Sequence, residues 1–274
     1  MPTSVILMGV SARQALKVPI TVRRHGARNV HSNGARCRLI TLRRANERHH
    51  DRRGKRQAWF TFNAGDRADP LGQGLGSLEI LSEGRLPPGA NVPRYPRRDG
   101  EVVTYVREGT LAYEDSSGRS GVICAGEFQR TTPGRGIRRT ETNASRTDWA
   151  HVFQIGVYPS QVGFEPGHEQ KRFSSAERRG MFCVVASPDG RRGSLRIHQD
   201  ASMHSALLDQ GQHLVHELAP GRSAWLHVVE GEVTLGEVVL TTGDGASITA
   251  ERAVSITAQE ESEVLLVDLR GPPL

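Results

Sequence analysis

The sequence predicts an all-β protein built from two antiparallel jelly-roll barrels. Short runs rich in Val, Ile, Leu and Thr are separated by turn residues, including many of the 30 Gly and 14 Pro, and this pattern favours many short strands over long helices. A chain of 274 residues is long enough for two domains that each bury a core. The segment VREGTLAY at 106–113 is echoed by VVEGEVTL at 228–235, as expected for two related barrels.

Basic residues are concentrated at the start of the chain. Residues 1–46 contain nine Lys and Arg and no Asp or Glu, so 27 basic and 30 acidic residues remain for the rest. The net charge of +6 therefore belongs to a tail, and we expect no direct nucleic-acid binding. Residues 1–38 are interpreted as a poorly ordered extension or the product of an upstream start codon, with an organelle transit sequence as the alternative.

The N-terminal barrel is predicted over residues 39–160. Strands alternate with turns in this region, and the hairpin signal at Asp115–Gly118 is typical of an antiparallel barrel. A polar segment containing Pro and Gly at 161–180 is interpreted as the linker. The second strand-rich block, residues 181–274, is predicted to form the C-terminal barrel.

Five polar residues are predicted to converge in the first barrel. Because side chains alternate between the two faces of a strand, Tyr95, Arg97 and Glu101 share one face if no bulge shifts the register at 99–100. Arg139 and Glu141 share a face on the partner strand. We expect Arg97 or Arg139 to form an ion pair with Glu101 or Glu141, which keeps the carboxylates ionised.

The two segments that carry these residues, GANVPRYPRRDGEVVTYVREG and GEFQRTTPGRGIRRTETN, have the outline of the two cupin motifs. Together with LRRANERHH, ADPLGQGLGSLEIL and GSLRIHQD, they resemble the pirin family over about four-fifths of the chain. This resemblance implies a bicupin fold. It also implies one divalent iron or similar metal in the N-terminal barrel, held by three histidines and one glutamate, and for some members oxidative cleavage of flavonols.

Carried over to this chain, the three histidine positions fall on Tyr95, Arg97 and Arg139, and the glutamate falls on Glu141. Arginine offers only hydrogen-bond donors and stays protonated, so it cannot replace an imidazole ligand. We therefore expect no metal cofactor and no catalytic residue. The main functional hypothesis is a non-catalytic small-ligand-binding or coregulator-like protein. The alternative, implied by the family, is an oxidoreductase of the quercetin 2,3-dioxygenase type.

Three readings of the five-residue cluster stay open. It fills an unused pocket, it receives a small anionic or polyphenolic ligand, or it retains metal-dependent catalysis, which includes the case in which a distant histidine such as His151 or His168 supplies a ligand. A second metal site among the histidines of the C-terminal barrel is not expected, because they lack H-x-H spacing. His198 and His216 are expected to hold that domain by hydrogen bonds.

The remaining expectations concern the cellular compartment, membrane association and oligomeric state. Cys37, Cys124 and Cys183 are odd in number and widely spaced, which predicts no disulfide framework and a reducing cytoplasm. No run of about 18 apolar residues occurs, so we expect no membrane span. We also expect a monomer, with a regulatory protein as a possible partner.

Overall fold

The computed structural model of the protein describes residues 39–62, 69, 71–97, 100–161 and 163–271. The extension at 1–38 lies outside the described residues. Nearly all regular structure is β-strand, and one four-residue α-helix, α1 (Ser175–Arg178), follows the first barrel. No helix in the described ranges has the length and apolar character needed to cross a membrane.

Among the described residues, the first part of the chain contains β1 (Leu39–Arg43), β2 (His49–Arg53), β3 (Arg56–Phe60), β4 (Leu78–Leu86), β5 (Asn91–Arg97), β6 (Glu101–Glu108), β7 (Thr110–Asp115), β8 (Ser120–Cys124), β9 (Glu127–Thr132), β10 (Ile137–Asn143), β11 (Ala150–Val157) and β12 (Gly167–Arg172). Ten follow: β13 (Cys183–Ser187), β14 (Leu195–Arg196), β15 (Ala201–Leu208), β16 (His213–Glu217), β17 (Arg222–Glu230), β18 (Glu232–Leu235), β19 (Val238–Thr241), β20 (Gly245–Thr249), β21 (Ala253–Ala258) and β22 (Ser262–Arg270).

Each barrel consists of a large and a small sheet. In the first barrel the large sheet has the order β12-β9-β6-β11-β4-β3-β2 and the small sheet has the order β5-β10-β7-β8. In the second barrel the orders are β1-β20-β17-β22-β15-β13-β14 and β16-β21-β18-β19. The prediction of two all-β cupin barrels is confirmed.

The predicted hairpin turn joins β7 to β8. Gly118 donates its backbone N–H to the carbonyl of Asp115 over 3.0 Å and has φ +83°, a conformation that glycine adopts without strain. The Ser117 backbone N–H donates to the Asp115 carboxylate over 2.8 Å. This turn fixes the register of the two strands that close one side of the first barrel.

Two edge strands, β1 and β12, lie at the two ends of the first strand-rich part of the chain. β1, which falls at the start of the predicted N-terminal barrel, pairs antiparallel with β20 and completes the large sheet of the second barrel. β12, which falls in the predicted linker, pairs with β9 of the first barrel. Strand patterning predicts that a segment is extended, but it does not name the edge that the strand joins.

The two large sheets pack face to face. Their outward side chains form one apolar cluster in which Tyr105, Phe128 and Phe153 of the first barrel meet Trp225 and Val267 of the second. Both faces of these sheets are buried, so strands such as β6 and β22 are apolar along most of their length. A separate apolar cluster, which includes Leu86, Val106 and Leu111, lies in the interior of the first barrel.

Candidate functional site in the first barrel

The site is built on β10. Arg139, Glu141 and Asn143 are buried, whereas the alternate residues Arg138 and Thr140 are exposed or half-buried. This alternation follows from the two-residue period of a strand and directs the buried set into the barrel. Two opposite charges, Arg139 and Glu141, are therefore held side by side in the interior, each with only 2% of its side chain exposed.

Arg139 and Glu141 form an ion pair. Arg139 Nε donates to Glu141 Oε1 over 2.9 Å, and Gln154 Nε2 of β11 donates to Glu141 Oε2 over 2.8 Å. Both carboxylate oxygens thus accept hydrogen bonds. A buried charge that is paired and hydrogen-bonded in this way is stable, whereas the same charge without its partner is costly.

The guanidinium of Arg139 has further partners on β9 and β7. Its Nη1 donates to Thr131 Oγ1 over 3.1 Å, and its Nη2 donates to Gln129 Oε1 over 2.7 Å. Its central carbon lies 4.0 Å from the centre of the Tyr113 ring, a distance at which the cation is attracted to the aromatic face. The surroundings of this side chain match the shape and donors of a guanidinium.

His168, on β12, is a neighbour of Tyr113. Its Nε2 is 3.4 Å from the Tyr113 hydroxyl, and the two rings meet edge to face. Burial, and then the positive charges of Arg119 and Arg139, lower the pKa of His168. Tyr113 thus contacts both His168 and Arg139.

A cavity of about 580 Å³ opens beside Glu141 and Gln154. Most of its lining surface is apolar, with side chains that include Phe60, Phe62, Leu81, Leu111 and Val152. Charged side chains also line it, namely Asp51, Arg53, Arg56, Glu79 and Glu83. Phe60, Ile80 and Tyr158 line the cavity and are 36–45% exposed, so they form its mouth. The cavity thus combines apolar walls with charged groups, one of which is the hydrogen-bonded carboxylate of Glu141.

Glu101 does not join this cluster. It begins β6 in the large sheet, and its fully buried carboxylate accepts the backbone N–H of His198 over 2.6 Å and the His198 Nδ1–H over 2.8 Å. Thr132 donates to the same carboxylate. Of the two carboxylates predicted as partners of an arginine, Glu141 pairs with Arg139 and Glu101 bonds His198, because the chain leaves the small sheet between β5 and β6. Glu101 instead ties the first barrel to the second.

The backbone register places the other two predicted residues. Tyr95 lies directly opposite Arg139, and Arg97 lies opposite Ile137, with a register shift between Arg139 and Glu141. The side chains of Tyr95 and Arg97 lie outside the described part of the structure. Their place on β5 puts the backbones of the two motifs on neighbouring, paired strands.

Of the two distant histidines, His151 faces away from the ion pair. Its Nε2 lies 2.8 Å from Glu83 Oε1, and its ring contacts Phe153 in the packing between the large sheets. Burial alone raises the pKa of Glu83, but the hydrogen bond to His151 and the charge of Arg48 lower it to about 2. His151 is engaged in this ion-pair network rather than near Glu141.

In the second barrel, two histidines have the expected hydrogen-bonding roles. His198 bonds Glu101, and the Nε2 of His216 lies 2.8 Å from Asp268 Oδ2. His204 packs edge to face against His216 with 4.6 Å between ring centres. Nowhere in the described ranges do three His, Cys, Asp or Glu side chains approach closely enough to hold a metal ion.

Two family profiles match the chain. One, described as Pirin, covers residues 42–157, and the other, described as the quercetinase C-terminal cupin domain, covers residues 184–269. The chain is also 39% identical to the quercetin 2,3-dioxygenase of Escherichia coli K12, over 86% of this chain and 100% of that protein. The chain belongs to the pirin family.

Other pirins and related proteins are similar along most of their length. A putative quercetin 2,3-dioxygenase of Pseudomonas aeruginosa is 34% identical over 80% of this chain and 95% of its own. The crystal structure of the bacterial pirin YhhW from E. coli in complex with nickel(II) superposes with a TM-score of 0.79 at 39% identity, covering 85% of this chain and 100% of that one.

These relatives correct the main functional hypothesis. A non-catalytic ligand-binding or coregulator-like protein was expected because three ligand positions have changed. Full-length relatives at 39% identity are named quercetin 2,3-dioxygenase, and a nickel(II) complex of such a pirin exists. They favour the alternative reading, an oxidoreductase of that type. Loss of ligands at one site was a weaker guide to function than similarity over the whole chain.

The donor set of this pirin does not fit the family metal. Arg139 stands at one histidine position with its donors on Glu141, Thr131 and Gln129, and a guanidinium has no lone pair to give a metal. Glu141, at the glutamate position, already accepts from Arg139 and Gln154. The residues present form an internal ion pair in place of a ligand set.

Sequence reasoning missed part of the polar shell. Gln129, Thr131, Tyr113 and Gln154 lie on β9, β7 and β11 at alternate, inward positions. Polar residues at inward positions of otherwise apolar strands were the available signal. The cavity had no such signal, because its mouth depends on how β3 and β4 extend beyond the small sheet.

Proposed function

We propose that this pirin is an oxidoreductase of the quercetin 2,3-dioxygenase type that binds a flavonol in the cavity of the first barrel and uses dioxygen as the oxidant. The observation that carries the proposal is the 39% identity to the E. coli quercetin 2,3-dioxygenase along that protein's entire length. The cavity beside Glu141 supports it independently.

The cavity suits a flat, hydroxylated aromatic ligand. Its volume of about 580 Å³ lies within the ~300–1,000 Å³ typical of small-molecule sites. Apolar walls such as Leu111 and Val152 favour burial of the ring system, because removing apolar surface from water drives binding. The polar end at Glu141 and Gln154 matches the hydroxyl groups that such a ligand carries.

Glu141 is the residue suited to orient the ligand. Its carboxylate lines the cavity and is paired with Arg139, so it is an acceptor for a phenolic O–H. A hydrogen bond to an ionised acceptor is about twice as strong as a neutral one. The apolar walls exclude water from the ring that reacts, and the exposed mouth at Tyr158 and Ile80 admits the ligand.

The test is oxygen uptake with quercetin as the probe. Dioxygenation places both atoms of O₂ in the product, so the wild-type protein should consume one O₂ for each quercetin lost from the absorbance spectrum. Val152→Phe, which extends a ring into the cavity, should reduce the rate at least tenfold, whereas Val122→Phe, on an exposed strand of the small sheet, should leave it unchanged. Quercetin that persists unchanged in air-saturated buffer would contradict the proposal.

The cellular compartment, the oligomeric state and the protein partner stay predictions. Cys124 and Cys183 are free thiols, which agrees with the reducing cytoplasm that the cysteine pattern predicts. The monomeric state and the regulatory protein partner are likewise predictions. Size-exclusion chromatography with light scattering checks the first, and a mass well above 30.0 kDa would contradict it.

A further inference from the structure

We propose that the guanidinium of Arg139 takes the place of the metal ion in this pirin, so that the first barrel binds its ligand against an internal Arg139–Glu141 ion pair and holds no metal. The identity of the ligand as a flavonol rests on the proposed function. The absence of a metal site rests on Arg139 and its neighbours alone, so the two parts are tested separately.

Arg139 is built into the barrel. Hydrogen bonds from its guanidinium end on a carboxylate, a hydroxyl and an amide oxygen from two different strands, and Tyr113 covers its face at 4.0 Å. Only 2% of the side chain is exposed. An arginine on a protein surface needs no such set of acceptors, whereas a buried cation does.

The position of Arg139 conflicts with a divalent cation. The guanidinium remains protonated at any pH at which the protein folds, and it lies 2.9 Å from the one carboxylate that the family would offer to the metal. A metal ion at Glu141 would have to displace the Arg139 and Gln154 donors and then sit beside a fixed positive charge. Like charges at such short distances in a water-poor interior repel strongly.

The ion pair also provides what a ligand needs. Arg139 balances the charge of Glu141 inside the barrel, and the carboxylate, which accepts one hydrogen bond at each oxygen, has further lone pairs for a phenolic O–H. Arg139 lies behind Glu141 and acts through it, which makes it a positioning residue. The cavity contacts belong to Glu141 and Gln154.

The first experiment counts nickel(II) bound per chain after dialysis against the free ion, which is the metal found in the E. coli relative. The wild-type protein should retain less than ~0.1 equivalent, and the Tyr95→His, Arg97→His, Arg139→His triple variant should retain about one, because imidazole supplies the missing lone pairs. Arg138→His, on the exposed face of the same strand, is the control and should gain none. One equivalent in the wild-type protein overturns the metal part.

The second experiment titrates quercetin into the anaerobic protein in the presence of EDTA. Binding to the wild-type protein and to Arg138→Gln should be unchanged by the chelator. The Arg139→Met, Glu141→Gln double variant, which keeps the interior uncharged, should bind about tenfold or more weakly, because it loses a charged acceptor. Binding that disappears with EDTA and returns with nickel(II) overturns the inference.

Turnover separates this inference from the proposed function. A chelated protein that binds quercetin but consumes no oxygen in air, with or without nickel(II), removes the dioxygenase assignment and leaves the metal-free site in place. A protein that consumes oxygen only after nickel(II) is restored retains the dioxygenase assignment and removes the metal-free site. Failure to bind quercetin under every condition removes the ligand part, and nickel analysis still decides the metal part.

Discussion

Arg139 and Glu141 neutralise each other in the interior of the first barrel, and each is buried only because the other is present. The pair could be predicted from the sequence, because residues two apart on a strand share a face. Its other contacts could not. Gln129, Thr131 and Gln154 lie on strands whose register the sequence does not specify, and they determine how the guanidinium is oriented.

Removing one charge of the pair should cost far more stability than removing both. Arg139→Met leaves a buried carboxylate unpaired, and we expect it to lower the free energy of unfolding by about 3–5 kcal/mol. The Arg139→Met, Glu141→Gln double variant should recover much of that loss. Urea unfolding at pH 7 measures each value.

Arg138→Met is the matched control, since Arg138 lies on the same strand with its side chain exposed. Its effect should stay within about 0.5 kcal/mol, as is usual for surface positions. If the single and double variants at 139 and 141 are equally destabilised, the ion pair does not couple these residues as described.

Individual strands determine where the site opens and how the barrels are joined. β1 was expected in the first barrel and lies on β20 of the second, and Glu101 was expected beside the arginines and bonds His198, 97 residues away. Both differences have one cause. Alternation along a strand predicts which residues share a face, but the partner of an edge strand or a buried carboxylate depends on the tertiary arrangement.

The pairing of β17 with β20 depends on Gly245. A Cβ atom added there would lie 2.4 Å from the Trp225 ring, whereas one added at Gly84, in a comparable strand, would have its nearest atom at 4.0 Å. Neither glycine has a positive φ, so the comparison isolates packing. Gly245→Ala should lower the free energy of unfolding by about 1–3 kcal/mol, measured by urea unfolding.

Gly84→Ala should change the stability by about 0.5 kcal/mol or less in the same measurement, because its site leaves space for a methyl group. Equal destabilisation by the two substitutions would show that loss of glycine itself, rather than contact with Trp225, governs the effect.

The whole molecule is held together by the packing of the two large sheets, and a buried histidine lies within that packing. His227, on β17, has 1% of its side chain exposed, its ring meets Phe153 of the first barrel, and neither ring nitrogen has a hydrogen-bond partner in the structure. Burial, and then the charge of Arg48, lower the pKa of His227 to about 3. Its imidazole is therefore neutral in the folded protein.

This burial predicts acid sensitivity. In the unfolded chain the pKa of His227 is near 6.5, so the unfolded state binds the proton first, and the free energy of unfolding falls as pH drops from about 6.5 towards 3. The loss from this one residue should reach about 3 kcal/mol at pH 4. His227→Leu should remove that part of the pH dependence, as measured by urea unfolding at pH 7, 5.5 and 4.

His213→Leu is the control, because His213 is exposed on β16 rather than buried between the sheets. It should retain the acid sensitivity of the wild-type protein. If His227→Leu retains it as well, the histidine is not the buried, neutral group that the structure describes.

The most direct test of the central claim is oxygen uptake by chelator-treated protein supplied with quercetin. A flavonol-cleaving pirin whose first barrel works through Arg139 and Glu141 should consume one O₂ per quercetin at the same rate before and after metal removal, and Glu141→Gln should slow it at least tenfold. Oxygen uptake that is absent before and after chelation, or that stops when metal is removed, would contradict it.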